Sequence, residues 1–156
     1  TRRLLNPGQP RDAVITALEA VATDVHLPDA TAGTLSAMAT FYEATRSAMR
    51  DPRTKISNAW VAPTKLTARK RPNLIPVRDN LVRRHLGLEK ARDYRIDWQV
   101  MRHLANDEIL LDELQGAVTA AQVASAAREQ QVALDSSVLR LLDVALWEHA
   151  RAQSPE

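Results

Sequence analysis

The chain has 156 residues, a mass of 17.3 kDa and a net charge of +2. That length suits one domain, which can bury roughly two thirds of its unfolded surface without a metal or disulfide staple. Cysteine is absent, which excludes a disulfide scaffold, a Cys-ligated zinc or iron–sulfur site and a cysteine nucleophile. No apolar run approaches membrane-spanning length. Residues 1–20 hold no signal-peptide pattern, because Asp12 and Glu19 interrupt the apolar stretches. A cytoplasmic protein with no membrane contact is expected.

Residues 1–10, with two Pro, one Gly and two Arg, read as an irregular arm. Val14, Ile15, Leu18, Val21, Ala22 and Val25 recur at helical spacing and predict a helix from Arg11 to about Val25. Asp29 is placed to cap a second helix running to about Arg50, with Leu35, Met38, Ala39, Tyr42 and Met49 on one stripe. Asp51-Pro52 stops it. Residues 51–76 carry four prolines, so a loop is expected there, with a short helical turn between Thr64 and Lys70. Pro76 suits the first turn of a helix that buries Val77, Leu81, Val82 and Leu86 and ends at Gly87 with Leu88 behind it.

An amphipathic helix starts near Ile96, with Trp98, Met101, Leu104 and Ala105 inward, and Asn106-Asp107 can divide it. Gly116 closes this region, and Thr119-x-x-Gln122 reads as a capping box for a helix to about Arg128. Asp135 or Ser136 caps the last helix, whose apolar face is Val138, Leu139, Leu142, Ala145, Leu146 and Trp147. Trp98 and Trp147 are expected as core anchors. Arg140 and Asp143 stand in this apolar helix and read as a structural ion pair, since a buried charge needs a partner. No strand or repeat is evident. The expected fold is all-α: one compact domain of six or seven helices over 11–151, with a basic Pro-rich central loop (51–76) and a tail at 152–156.

Charge is unevenly placed. Residues 51–90 hold ten basic and three acidic residues, net +7; residues 91–156 hold six basic and eleven acidic, net −5. A clustered positive field attracts polyanions, whatever the total. His26, His85, His103 and His149 are too scattered for a local metal motif, and no phosphate-binding glycine loop or nucleophile elbow is present. Neither a metal nor a cofactor is expected.

The informative stretch runs from Trp60 to Gly87. Lys65, Arg69, Lys70 and Arg71 precede a proline-bounded extended piece. Asp79 then sits in the first turn of a helix, where the dipole favours a carboxylate, and Arg83 and Arg84 follow a turn later. One carboxylate among several cations could face a phosphate backbone. Trp60, in the basic segment, could stack on a base or pack internally. Asp79 could equally pair with Arg83, and the basic run could pair with Asp107, Glu108, Asp112 and Glu113.

This order resembles the centre of the helix–hairpin–helix DNA glycosylase superfamily, in which a glycine hairpin precedes a Pro-Val-Asp-x-x-Val-x-Arg-x-x-x-Arg-Leu-Gly helix. Pro76, Val77, Asp79, Val82, Arg83 or Arg84, Leu86 and Gly87 match, with Arg78 as one extra residue. The resemblance implies a glycosylase-like helical fold, the catalytic aspartate position for Asp79, and DNA held by the hairpin with a damaged base flipped out. It implies no catalytic role for Lys65. Trp60-Val61-Ala62 stands where that family carries Gly-Val-Gly. The stretch is more closely similar to an uncharacterised bacterial family with a Lys-Leu-x-Ala-Arg-Lys-Arg-Pro-x-Leu-Ile-Pro-Val-x-Asp core and a Leu-Arg-Leu-Leu-Asp-Val-x-Leu-Trp signature, here Lys65 to Asp79 and Leu139 to Trp147.

The expected function is nucleic-acid binding, with DNA foremost, without catalysis, through Lys65, Arg69, Lys70, Arg71, Arg83, Arg84 and Trp60. The alternatives are a protein-interaction or self-associating protein that joins basic and acidic surfaces, or a DNA glycosylase using Asp79.

Overall fold

The computed structural model describes residue 4 and residues 6–50, 60–128 and 135–153. The Asp51-Pro52 stop, the remainder of 51–59 and the end of the tail lie outside the described residues. Among the described residues there are seven α-helices, one 3₁₀ turn and no strand, the all-α class expected. The helices are α1 (Gln9–Glu19), α2 (Ala32–Met49), α3 (Val61–Lys70), α4 (Asn80–His85), α5 (Tyr94–Leu104), α6 (Glu108–Ala127) and α7 (Val138–Ala152). The chain forms two compact units, Thr1–Asp79 and Asn80–Glu156.

In the first unit α1 packs on α2 and α2 on α3. Its core holds Val14, Ala17, Leu27, Met38, Phe41, Tyr42, Ala48, Ala68, Leu74 and Ile75. Helix α1 ends at Glu19, short of the expected Val25, and Val21 N–H bonds back to the Leu18 carbonyl (3.1 Å) as the chain turns. Asp29 is not the cap of α2; it closes the 3₁₀ turn Leu27–Asp29. Thr31 caps instead, its side chain accepting from Thr34 N–H at 3.1 Å. The buried stripe of α2 is Met38, Phe41, Tyr42, Thr45 and Ala48.

Helix α3 starts at Val61, three residues before the short turn expected between Thr64 and Lys70, and ends at Lys70 as expected. Pro63 is its third residue, in the first turn, where a backbone N–H has no helical partner to lose. Thr64 and Thr67 are buried in α3, and their hydroxyls donate to the carbonyls of Trp60 (2.8 Å) and Pro63 (3.0 Å). Those bonds let polar side chains enter the core without unmet donors.

In the second unit α4 and α6 each pack on α7. The core holds Val82, Tyr94, Trp98, Met101, Ala105, Leu139, Leu142 and Ala150. The rings of Tyr94 and Trp98 lie 4.8 Å apart. Helix α4 begins at Asn80, four residues after Pro76; Leu74, Ile75 and Pro76 are buried outside any helix, where Leu74 and Ile75 N–H turn back to the Arg71 carbonyl. Its end is as expected. Gly87 has φ 69°, Leu88 N–H bonds to the Arg83 carbonyl (2.7 Å) and Gly87 N–H to the Arg84 carbonyl (3.1 Å). This is a Schellman stop.

Asp93 caps α5, accepting from Arg95 N–H, and Asp107 caps α6, accepting from Leu110 N–H. The division expected at Asn106-Asp107 is therefore real. The one expected at Gly116 is not: α6 runs unbroken from Glu108 to Ala127, and Thr119 donates to the Gln115 carbonyl (2.9 Å) rather than capping. One internal glycine costs about 1 kcal/mol, and the surrounding Ala, Leu, Glu and Gln outweigh it. Trp147 is also corrected: it is 40% exposed, with Arg151 over its ring at 5.3 Å, and is no core anchor.

Candidate functional site

The cations of the central segment divide by what their side chains touch. Arg71 is half-buried and turns inward. Its Nη2 donates to the carbonyls of Leu18 (2.7 Å) and Val21 (3.0 Å), and its Nε donates to Val21 (3.0 Å). It satisfies carbonyls at the C-terminal end of α1, where a cation also meets the negative end of the helix dipole.

Arg78 is only 6% exposed, and its guanidinium lies 4.8 Å from the centre of the Trp60 ring. Stacking of this kind occupies an aromatic face that a base would otherwise use. Trp60 had two readings, stacking on a base or packing internally; one face of its ring is taken by Arg78.

Arg83 is committed as well. Its Nε donates to Asp97 Oδ1 at 2.7 Å, and its Nη2 donates to the carbonyls of Leu88 (2.7 Å) and Ala91. Arg84 is exposed and pairs with Glu89 at 3.0 Å. Arg140 and Asp143 pair at 2.7 Å on α7, both side chains about 15% exposed.

Lys65, Arg69 and Lys70 differ. All three are exposed on α3. Lys65 and Arg69 lie four residues apart, on the side opposite the buried Pro63, Thr64, Thr67 and Ala68. None of the three side chains has an ion-pair partner among the described residues. Burying one side of α3 therefore aims its cations at solvent.

Asp79 is half-buried and immediately precedes α4. Val61 and Ala62, at the expected hairpin position, are the first two residues of α3 and form no tight turn between helices. Among the described residues no group of three or more His, Cys, Asp or Glu could hold a metal. His85 and His149 meet edge to face, ring centres 4.9 Å apart, joining α4 to α7. One recess of about 440 Å³ is lined by Arg95, Ile96, Gln99, Val100 and His103. All five belong to α5, so it is a groove on one helix and not a pocket where groups from several elements converge. Among the described residues no helix is long and apolar enough to cross a membrane.

Fold and surface together define an all-α protein with a small cationic face on α3 that has no ion pair among the described residues. The chain belongs to a family of unknown function (DUF6308), whose model matches residues 1–150. Comparison with curated proteins and with solved structures gave no match.

Proposed function

We propose that the protein binds the phosphate backbone of nucleic acid, without catalysis, through Lys65, Arg69 and Lys70 on α3. The observation that carries this reading is their exposure on one short helix without an ion-pair partner among the described residues. Phosphates spaced along a strand suit exposed cations that are not spent on carboxylates. Arg71 and Arg83 leave the contact set, because their guanidinium groups hold backbone carbonyls and Asp97. Phosphate contacts fix position and do not read sequence, so binding should discriminate little between sequences.

The test is fluorescence anisotropy with single- and double-stranded DNA over a salt series. The parent should bind with an affinity that falls as salt rises. Lys65→Glu/Arg69→Glu/Lys70→Glu should abolish binding. The milder Lys65→Ala/Arg69→Ala/Lys70→Ala should flatten the salt slope by about 2–3. A folded parent that binds neither DNA at low salt, or an alanine variant with an unchanged slope, would sink the reading.

A further inference from the structure

Helix α6 has 20 residues and buries only one of them, Ser125. The half-buried Leu110, Leu111, Leu114 and Val118 share a side with Ser125. The opposite side carries Ile109, Glu113, Gly116, Ala120, Val123 and Ala127, all exposed and spaced alternately four and three residues apart. That is the spacing of a helix–helix seam. Ile109 is 75% exposed and Val123 is 66% exposed, an unusual place for two β-branched apolar side chains.

We propose that this stripe joins two copies of the chain as an antiparallel pair of α6 helices. The pattern complements itself in that orientation. A two-fold axis at the helix centre sets Ile109 opposite the partner's Ala127, Gly116 opposite the partner's Ala120, and Glu113 opposite the partner's Val123, where the Glu113 methylenes can lie along the valine with the carboxylate at the edge. Large meets small at the ends, and small meets small at the crossing, where the backbones can approach closely.

Charge selects the same orientation. Asp107, Glu108, Asp112 and Glu113 crowd the first turns of α6, and Arg128 follows its end. A parallel pair would set four carboxylates against four. An antiparallel pair separates the two acidic ends by the length of the helix.

The area is sufficient for a weak dimer. A helix of this length is about 30 Å long and 10 Å wide. Covering half its circumference removes roughly 500 Å² per copy, about 1,000 Å² in all, at the lower edge of specific interfaces. Association should therefore depend on concentration. The proposal stands apart from nucleic-acid binding.

Sedimentation equilibrium from micromolar to submillimolar protein tests it. The parent mass should climb from 17.3 kDa towards twice that value. Ile109→Glu/Val123→Glu, with unchanged helicity by circular dichroism, should stay monomeric. The parent has no cysteine, so single thiols can be introduced cleanly. Ile109→Cys/Ala127→Cys should give disulfide-linked dimers on oxidation. Ile109→Cys alone should not, because antiparallel copies hold the two positions about 27 Å apart. A parent that is monomeric throughout, a dimer that survives the glutamate pair, or cross-linking by Ile109→Cys alone would each overturn the proposal.

Discussion

Arg83 Nε lies 2.7 Å from Asp97 Oδ1, with the two side chains 11% and 6% exposed. The pair joins α4 to the first turn of α5. The same guanidinium also donates to the Leu88 and Ala91 carbonyls, so one side chain fixes the whole connection between the two helices. Buried ion pairs add little over an apolar substitute, but removing one partner strands the other. Arg83→Met should lower stability by about 3–5 kcal/mol, read from urea unfolding. An Arg83→Met/Asp97→Leu double variant should recover much of that loss.

Arg71 and Arg69 are near neighbours with opposite duties. Arg71→Ala removes the guanidinium from the Val21 carbonyl and leaves the Leu18 carbonyl with its backbone donor alone. Hydrogen bonds to charged groups contribute about 1.5–3 kcal/mol, and a loss of that order is expected. Arg69→Ala removes an exposed side chain and should change stability by less than about 0.5 kcal/mol. Thermal unfolding of the two variants side by side separates the roles, and equal melting temperatures would refute the assignment.

Thr45 is fully buried in α2, and its hydroxyl has no hydrogen-bond partner among the described residues. An unmet buried hydroxyl costs about 1–3 kcal/mol. Thr45→Val keeps the shape and removes the polar atom. It should raise the unfolding midpoint in denaturant, and a lower midpoint would show that the hydroxyl is satisfied.

Two glycines should respond in opposite directions to alanine. Among the described residues, neither Gly87 nor Gly116 has an atom within 4 Å of an added Cβ, so packing does not decide the outcome. Gly87 holds φ at +69°, and Gly87→Ala should cost about 1 kcal/mol or somewhat more. Gly116 is an ordinary residue of α6, and Gly116→Ala should stabilise the monomer by about 0.5–1 kcal/mol. Chemical denaturation at dilute protein, where any dimer has dissociated, checks both.

Local pattern determined a good part of this protein. Apolar residues at three- and four-residue spacing marked α1, α2, α5 and α7, because a helix must bury one stripe wherever it packs. The stop at Gly87 was legible because a left-handed residue favours glycine and needs no tertiary partner. Asp107 as a break was legible for a similar reason, since an aspartate there caps whatever helix follows. Gly116 and Thr119 misled because both are weak local signals, overridden by a long run of strong helix formers.

The tertiary structure decided which cations are available. In the sequence Lys65, Arg69, Lys70, Arg71, Arg78 and Arg83 form one basic stretch. Folding brings Arg71 to carbonyls at the end of α1, Arg78 to the Trp60 ring and Arg83 to Asp97. Those partners lie up to 53 residues away in the chain. A charge's partner depends on distance in space, and no local pattern encodes that distance. Of these six, Lys65, Arg69 and Lys70 are turned to solvent with no ion pair among the described residues, because the buried side of α3 faces away from them.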